Sequence, residues 1–255
     1  NMKIGLLKEG KIPVDKRVPF SPDQCAYIMD VNPNISIYIQ PSKNRCFSDF
    51  EYEKNGVFIK NDLSECDIIM GIKEVPIDML IDNKIFLFFS HTIKKQPYNK
   101  LLLKKIIEKN IQLVDYETLI DENQKRLIGF GRYAGIIGCY NTFLAYGKKT
   151  NKYDLVLPQL LKDKNELDKE MLKISLPKDF KIIVTGSGRV ANGAIEMLDI
   201  LGVKKVSKMN FLQKHNNQPT YVQLDSLDYN QRIDGDVGSK QDFYNFPNEY
   251  RSTLP

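Results

Sequence analysis

A glycine-rich turn and four polar side chains mark where this chain could do chemistry. The run Lys181-Ile-Ile-Val-Thr-Gly-Ser-Gly-Arg-Val-Ala-Asn-Gly passes from a β-branched strand pattern into Gly186, Gly188 and Gly193, then into an amphipathic helical pattern. Strand, glycine turn and helix in that order suit a pyrophosphate. The glycines let backbone approach it, and the helix N-terminus offers unpaired N–H groups. Gly186, Ser187, Gly188, Arg189 and Val190 are therefore candidate cofactor contacts. Ala191 stands in the third glycine slot, an accepted variant. The acidic residue that usually holds the ribose hydroxyls is missing from residues 206–210, where Asn210 is nearest the expected place. Lys204, Lys205 and Lys208 surround it and would tolerate a 2′-phosphate, so NAD and NADP both stay open.

The second set lies upstream. Lys73, His91 and Glu117 each follow an apolar run that reads as a strand, and Arg17 sits in the loop after the first strand. Ligands of open α/β sheets bind outside the carboxyl ends of the strands. An arginine fork matches a carboxylate, a lysine crowded by another cation serves as a base near neutral pH, and histidine passes protons. Together they suit an amino acid or a keto acid. Each also has a plainer reading: solvated surface cations for Arg17 and Lys73, a core histidine for His91, a cap or surface acid for Glu117.

The elements that must position these groups alternate. Residues 2–7 read as a buried strand, followed by a polar loop over 8–19 and a helix capped by Ser21 with Pro22 at its first position. Strands are expected at 35–39, 67–72, 85–89 and 111–114, with helices opening at Ser48 and spanning 97–110. Such alternation predicts parallel α/β sheets. Residues 131–147 form a long apolar helix whose Ala134, Gly135, Gly138 and Ala145 suit close packing between domains. Residues 148–179 read as a lysine-rich connector, and 213–218 and 225–238 as polar surface excursions.

The expected architecture is two Rossmann-like domains with parallel sheets. Residues 2–130 form a substrate and catalytic domain, 131–180 an inter-domain helix and connector, and 181–255 a dinucleotide-binding domain. The residues after the first βα unit are too few for a complete six-strand sheet, so the second domain is expected to be incomplete in this chain. The 255 residues carry a formal charge of +5 spread over scattered lysines, without the aromatic interleaving that would argue for a nucleic-acid partner. No apolar run approaches membrane-spanning length. Cys25, Cys46, Cys66 and Cys139 show neither zinc nor disulfide spacing, which points to a reduced, cytoplasmic setting and no metal.

The order of motifs is familiar. Met2-Lys-Ile-Gly-Leu-Leu-Lys-Glu9 with Arg17-Val-Pro-Phe-Ser-Pro22, Phe47-Ser-Asp-Phe-Glu-Tyr-Glu53, Gly71-Ile-Lys-Glu-Val-Pro76 and Phe88-Phe-Ser-His91 resemble the alanine dehydrogenase, transhydrogenase and lysine-forming saccharopine dehydrogenase superfamily. Leu113-Val-Asp-Tyr-Glu-Thr-Leu119, Phe130-Gly-Arg-Tyr-Ala-Gly135 and the glycine run look closest to the saccharopine branch. The resemblance implies a two-domain oxidoreductase with its site in a cleft. Lys73 and His91 fall on the proton-handling positions, Arg17 on the substrate-carboxylate position, and Lys94, Glu117 and Arg126 on further charged positions around the substrate. It implies NAD(P)-dependent oxidation of an amine to an imine, hydrolysed to an amino acid and a keto acid, and is compatible with a homo-oligomer. The alternative is a catalytically inactive nucleotide-binding regulatory protein, motivated by the missing acidic residue and by the polar segment 213–250, which is foreign to the resemblance.

Overall fold

The computed structural model describes residues 1–213 and 216–254 and divides into two compact units, Asn1–Gly129 and Phe130–Pro255. In the first unit the chain runs β1 (Met2–Leu6), α1 (Pro22–Val31), β2 (Ile35–Ile39), α2 (Asp49–Lys54), β3 (Phe58–Ile59), β4 (Ile68–Met70), β5 (Ile85–Phe88), α3 (Lys100–Glu108) and β6 (Gln112–Asp115). Ser21 and Ser48 cap α1 and α2, each in a reciprocal box with the residue three positions on, Gln24 or Glu51. The sheet has the order β3-β2-β1-β4-β5-β6, with every pair parallel. The chain thus builds outward from β1 on one side, then returns to lay β4, β5 and β6 on the other. The reversal falls between β1 and β4, the place where doubly wound sheets leave a crevice.

Alternating apolar residues of these strands are buried, among them Leu6, Ile37, Ile39, Ile69, Phe86 and Phe88. They form two apolar clusters, one closed by Cys25 and Tyr52 from α1 and α2, the other by Leu102 and Ile106 from α3. The two-residue β3 was not expected, because it is too short to show a period. The expected helix at 97–110 opens as a 3₁₀ turn at Pro97–Asn99 before α3 begins.

The second unit contains α4 (Gly131–Thr150), α5 (Lys164–Met171), β7 (Lys181–Thr185), α6 (Arg189–Ile200), β8 (Lys204–Lys205), α7 (Lys208–Gln213), β9 (Thr220–Leu224), β10 (Asn230–Arg232), α8 (Lys240–Asn245) and β11 (Tyr250–Ser252). Of the small residues of α4 expected to serve close packing, Gly135 meets α6 inside this unit. A Cβ on Gly135 would lie 1.9 Å from the Val190 carbonyl oxygen, and one on Gly193 2.0 Å from that of Arg132. The stretch read as a connector is likewise core: Leu155, Leu167 and Met171 cluster with Tyr140, Phe143, Val184, Met197 and Leu198.

The larger surprise follows α7. Residues 220–224 form β9, a buried strand that lies between the other two in a parallel sheet of order β7-β9-β8. Beyond it, β10 and β11 pair antiparallel, tied to α8 by Arg232, which contacts Asp242 and Glu249 at 2.6 and 2.9 Å. The excursion expected at 225–238 is therefore partly an ordered ribbon. In the one expected at 213–218, Lys214 and His215 lie outside the described residues.

Candidate active site

The carboxyl ends of β1, β4, β5 and β6 deliver the polar side chains of the first unit. The loop after β1 supplies Glu9, Lys11, Asp15 and Arg17; the segment after β4 supplies Lys73 and Glu74. These two strands flank the reversal of strand order. Glu9 accepts the backbone N–H groups of Ile72 and Lys73 at 2.6 and 2.9 Å, which ties the two loops together. Burial pushes the Glu9 carboxyl above the usual range, partly offset by those two bonds. Asp15 accepts from Arg17 Nε at 2.8 Å and from its backbone N–H at 3.0 Å. Burial opposes ionisation of Asp15, but the bonds from Arg17 outweigh it and hold its carboxyl below the ordinary value, with the Lys73 charge helping.

His91 leaves β5 through a left-handed backbone conformation (φ 54°) that starts the 3₁₀ turn Thr92–Lys94. For a residue with a Cβ that conformation costs on the order of 1–2 kcal/mol, so the surroundings must hold it. They do so through a buried strut. Ser90, fully buried, donates to Asp115 at the end of β6, and Asp115 accepts the Glu117 N–H at 2.9 Å. The strut clamps the ends of β5 and β6 and sets His91 beside Glu117.

His91 Nδ1 lies 3.0 Å from Glu117 Oε2. Lys94 Nζ approaches the same ring nitrogen at 3.3 Å and Glu117 Oε1 at 3.4 Å, and Arg126 reaches Glu117 Oε1 at 3.6 Å. Nδ1 cannot both donate to Glu117 and accept from Lys94. The shorter contact to a carboxylate assigns the proton to Nδ1, with Lys94 turned to Glu117. On the other side of the ring, Nε2 faces Glu74 Oε1 at 3.9 Å. That oxygen is buried and has no hydrogen-bond partner among the described residues, while Glu74 Oε2 pairs with Lys11 at 2.6 Å. Phe89 stacks on the imidazole with ring centroids 6.2 Å apart. Burial works against ionisation of Glu117, yet the His91 bond and the Lys94 charge keep its carboxyl below the usual range.

His91, Lys94, Glu117 and Arg126 thus form one cluster of hydrogen bonds and ion pairs. Arg17 bonds to Asp15, the Lys73 backbone N–H bonds to Glu9, and Glu74, next to Lys73 in sequence, faces His91. Sequence reading missed Glu9, Asp15 and Glu74 as members. Glu9 and Glu74 stood in view inside quoted motifs, but a carboxylate beside a cation in sequence carries no sign of burial.

In the second unit the glycine turn follows β7. Gly186 has φ 85°, and neither Gly186 nor Gly188 has any atom within 4 Å of where a Cβ would sit. Gly188 heads α6 without a side-chain cap, which leaves first-turn N–H groups for an anion. The residues present fit a dinucleotide pyrophosphate. Asn210 lies on α7, after β8, and β8 is separated from β7 by β9.

A doubly wound parallel sheet with charged side chains at its carboxyl ends, followed by a βα unit with a glycine turn, defines an α/β protein of the doubly wound class. Residues 5–137, just over half the chain, match the family described as alanine dehydrogenase/PNT, N-terminal domain, and the chain belongs to that family. It is 32% identical to the alpha-aminoadipic semialdehyde synthase of Arabidopsis thaliana over 79% of this chain and 21% of that protein. The mitochondrial enzyme of Rattus norvegicus is 31% identical over 78% of this chain and 24% of the relative. The NAD⁺, L-lysine-forming saccharopine dehydrogenase of Candida glabrata is 29% identical over 75% and 55%. The chain therefore spans about a quarter of the synthases it matches and just over half of that dehydrogenase. Among solved structures, an L-alanine dehydrogenase shares the fold with a TM-score of 0.59 at 15% identity, over 89% of this chain and 62% of that one. A transhydrogenase from Sinorhizobium meliloti does so at 0.53 and 16%, over 81% and 59%. Among the described residues no helix is long and apolar enough to cross a membrane.

Proposed function

We propose that this chain belongs to an NAD(P)-dependent amino-acid dehydrogenase oxidising a C–N bond, of the saccharopine or alanine dehydrogenase kind, and supplies its substrate side and part of its cofactor side. The observation that supports the reading most is the set of proton-handling and carboxylate-binding groups on adjacent strand ends, with Arg17 and Lys73 flanking the reversal of strand order.

In this reading Arg17, whose Nε and Nη2 are held by Asp15, turns the remaining edge of its guanidinium to the substrate carboxylate. Lys94 and Arg126, both turned to Glu117, take further charged groups of the substrate. A bound nicotinamide supplies the hydride acceptor. Loss of hydride from carbon and a proton from nitrogen gives C=N; water adds, and the carbinolamine collapses to an amine and a carbonyl. Lys73 and His91 take and return the protons of these steps. Glu117 keeps Nδ1 of His91 protonated, so Nε2 is the nitrogen that exchanges, and Glu74 stabilises the imidazolium when Nε2 is loaded.

Lys73→Met and His91→Gln should each lower kcat by about 10²–10⁴-fold while leaving the melting temperature nearly unchanged. The assay is nicotinamide absorbance with a panel of amino acids and amine plus keto-acid pairs, run with NAD and with NADP. Unchanged rates in both variants overturn the catalytic assignment. Dinucleotide binding without turnover on any substrate favours the regulatory alternative.

A further inference from the structure

We propose that Asp225, at the end of β9, is the residue that reads the adenosine ribose of the dinucleotide and selects NAD over NADP. This deepens the dehydrogenase reading and rests on it. In doubly wound sheets the phosphate turn follows one strand and the ribose meets a side chain at the end of the neighbouring strand. The neighbour in sequence is β8, which ends near Asn210 without a carboxylate. The neighbour in space is β9.

All five residues of β7 pair in parallel with β9, Lys181 opposite Thr220 through Thr185 opposite Leu224, whereas β8 pairs only with β9. The contact continues into the turn. Gly186 N–H donates to the Leu224 carbonyl at 2.7 Å, and Gln223 Nε2 donates to the Gly186 carbonyl at 2.9 Å. Ser187 Oγ donates to Asp225 Oδ1 at 3.2 Å. Asp225 is thus the first side chain past the strand and lies directly against the candidate phosphate turn.

The charges around it give the discrimination a sign. Lys240 of α8 pairs with Asp225 Oδ2 at 2.8 Å, and this bond holds the Asp225 carboxyl below its usual range. Asp228, which accepts the Asp225 N–H at 2.7 Å, pairs with Lys208. A fixed carboxylate accepts hydroxyl donors and repels a phosphate dianion. Ser187 ties that carboxylate to the turn, while Lys240 reaches it from the far ribbon segment. A 2′-hydroxyl is therefore favoured over a 2′-phosphate. The alternative local role, an ion pair that only anchors α8, would leave cofactor preference untouched.

Calorimetric titration of this chain with NADH and NADPH tests the assignment, with Asp225→Ser, Lys240→Ala and Asn210→Ala in parallel. The wild type should bind NADH roughly tenfold or more tighter than NADPH, the size of one charge-assisted hydrogen bond. Asp225→Ser should bring the two affinities to about equal, and Lys240→Ala should widen the gap by exposing the carboxylate. Asn210→Ala should leave the ratio unchanged. Tighter NADPH in the wild type overturns the proposal, as does an unchanged ratio in Asp225→Ser or a ratio that moves with Asn210→Ala. Binding of neither dinucleotide overturns the cofactor reading of the second unit, and this proposal with it. Asp225 is half exposed, so its replacement leaves the fold available for measurement.

Discussion

Glu117 gathers three charged neighbours, with His91, Lys94 and Arg126 all directed at its two oxygens. Its carboxyl is held below the ordinary value, so its stabilising contribution is full above that value and disappears as pH falls through the lower folded-state value. Glu117→Gln should therefore be less stable than wild type at neutral pH, and the difference should shrink below about pH 4. Denaturant midpoints of both proteins across that range check this. A gap that widens on acidification would mean that the burial penalty, not the pairing with His91 and Lys94, dominates the site. At this scale residue types were legible in the sequence: Lys73, His91 and Glu117 follow strand ends, and Arg17 lies in the loop after β1. Their carboxylate partners were not, because Glu9 reaches Ile72 and Lys73 only once β1 and β4 lie side by side, and Asp15 meets Arg17 only through the folded path of their loop.

Two glycines of one helix separate packing from propensity. On α4, Gly135 faces α6 with no room for a Cβ, whereas a Cβ on Gly138 meets nothing within 4 Å. Gly138→Ala should stabilise by about 0.5–1 kcal/mol through helix propensity and reduced unfolded-chain freedom. Gly135→Ala should destabilise by about 1–3 kcal/mol or more, since the clash is with backbone and the two helices must part. Thermal melts of the two variants should move in opposite directions. The sequence pattern showed that α4 had small residues to bring something close, but not what. β9 was missed for a related reason. Thr220–Leu224 is a five-residue run between polar stretches, and only its burial between β7 and β8 marks it as central.

Each unit has a core of its own. The two apolar clusters of the first unit are built from residues up to Ile111, with Leu113 against them, and the cluster of the second draws on residues from Ile136 to Tyr221. A polypeptide of residues 1–129 should therefore fold by itself, giving a cooperative thermal transition and α/β circular dichroism. A non-cooperative melt of that fragment would show that its sheet needs the second unit.

Hydrophobic periodicity and capping residues act over a few positions, so most strands, the capped helices and the glycine turn were readable from the chain alone. So was the alternation that makes both sheets parallel, as was the family through its ordered motifs. Strand order joins segments far apart in sequence, and no local pattern encodes it. Tertiary structure alone put β9 rather than β8 against the glycine turn, and buried Glu74 against His91. Those two adjacencies decide which carboxylates can act, because the effect of a charge depends on what lies within a few ångströms of it and on how much water is left.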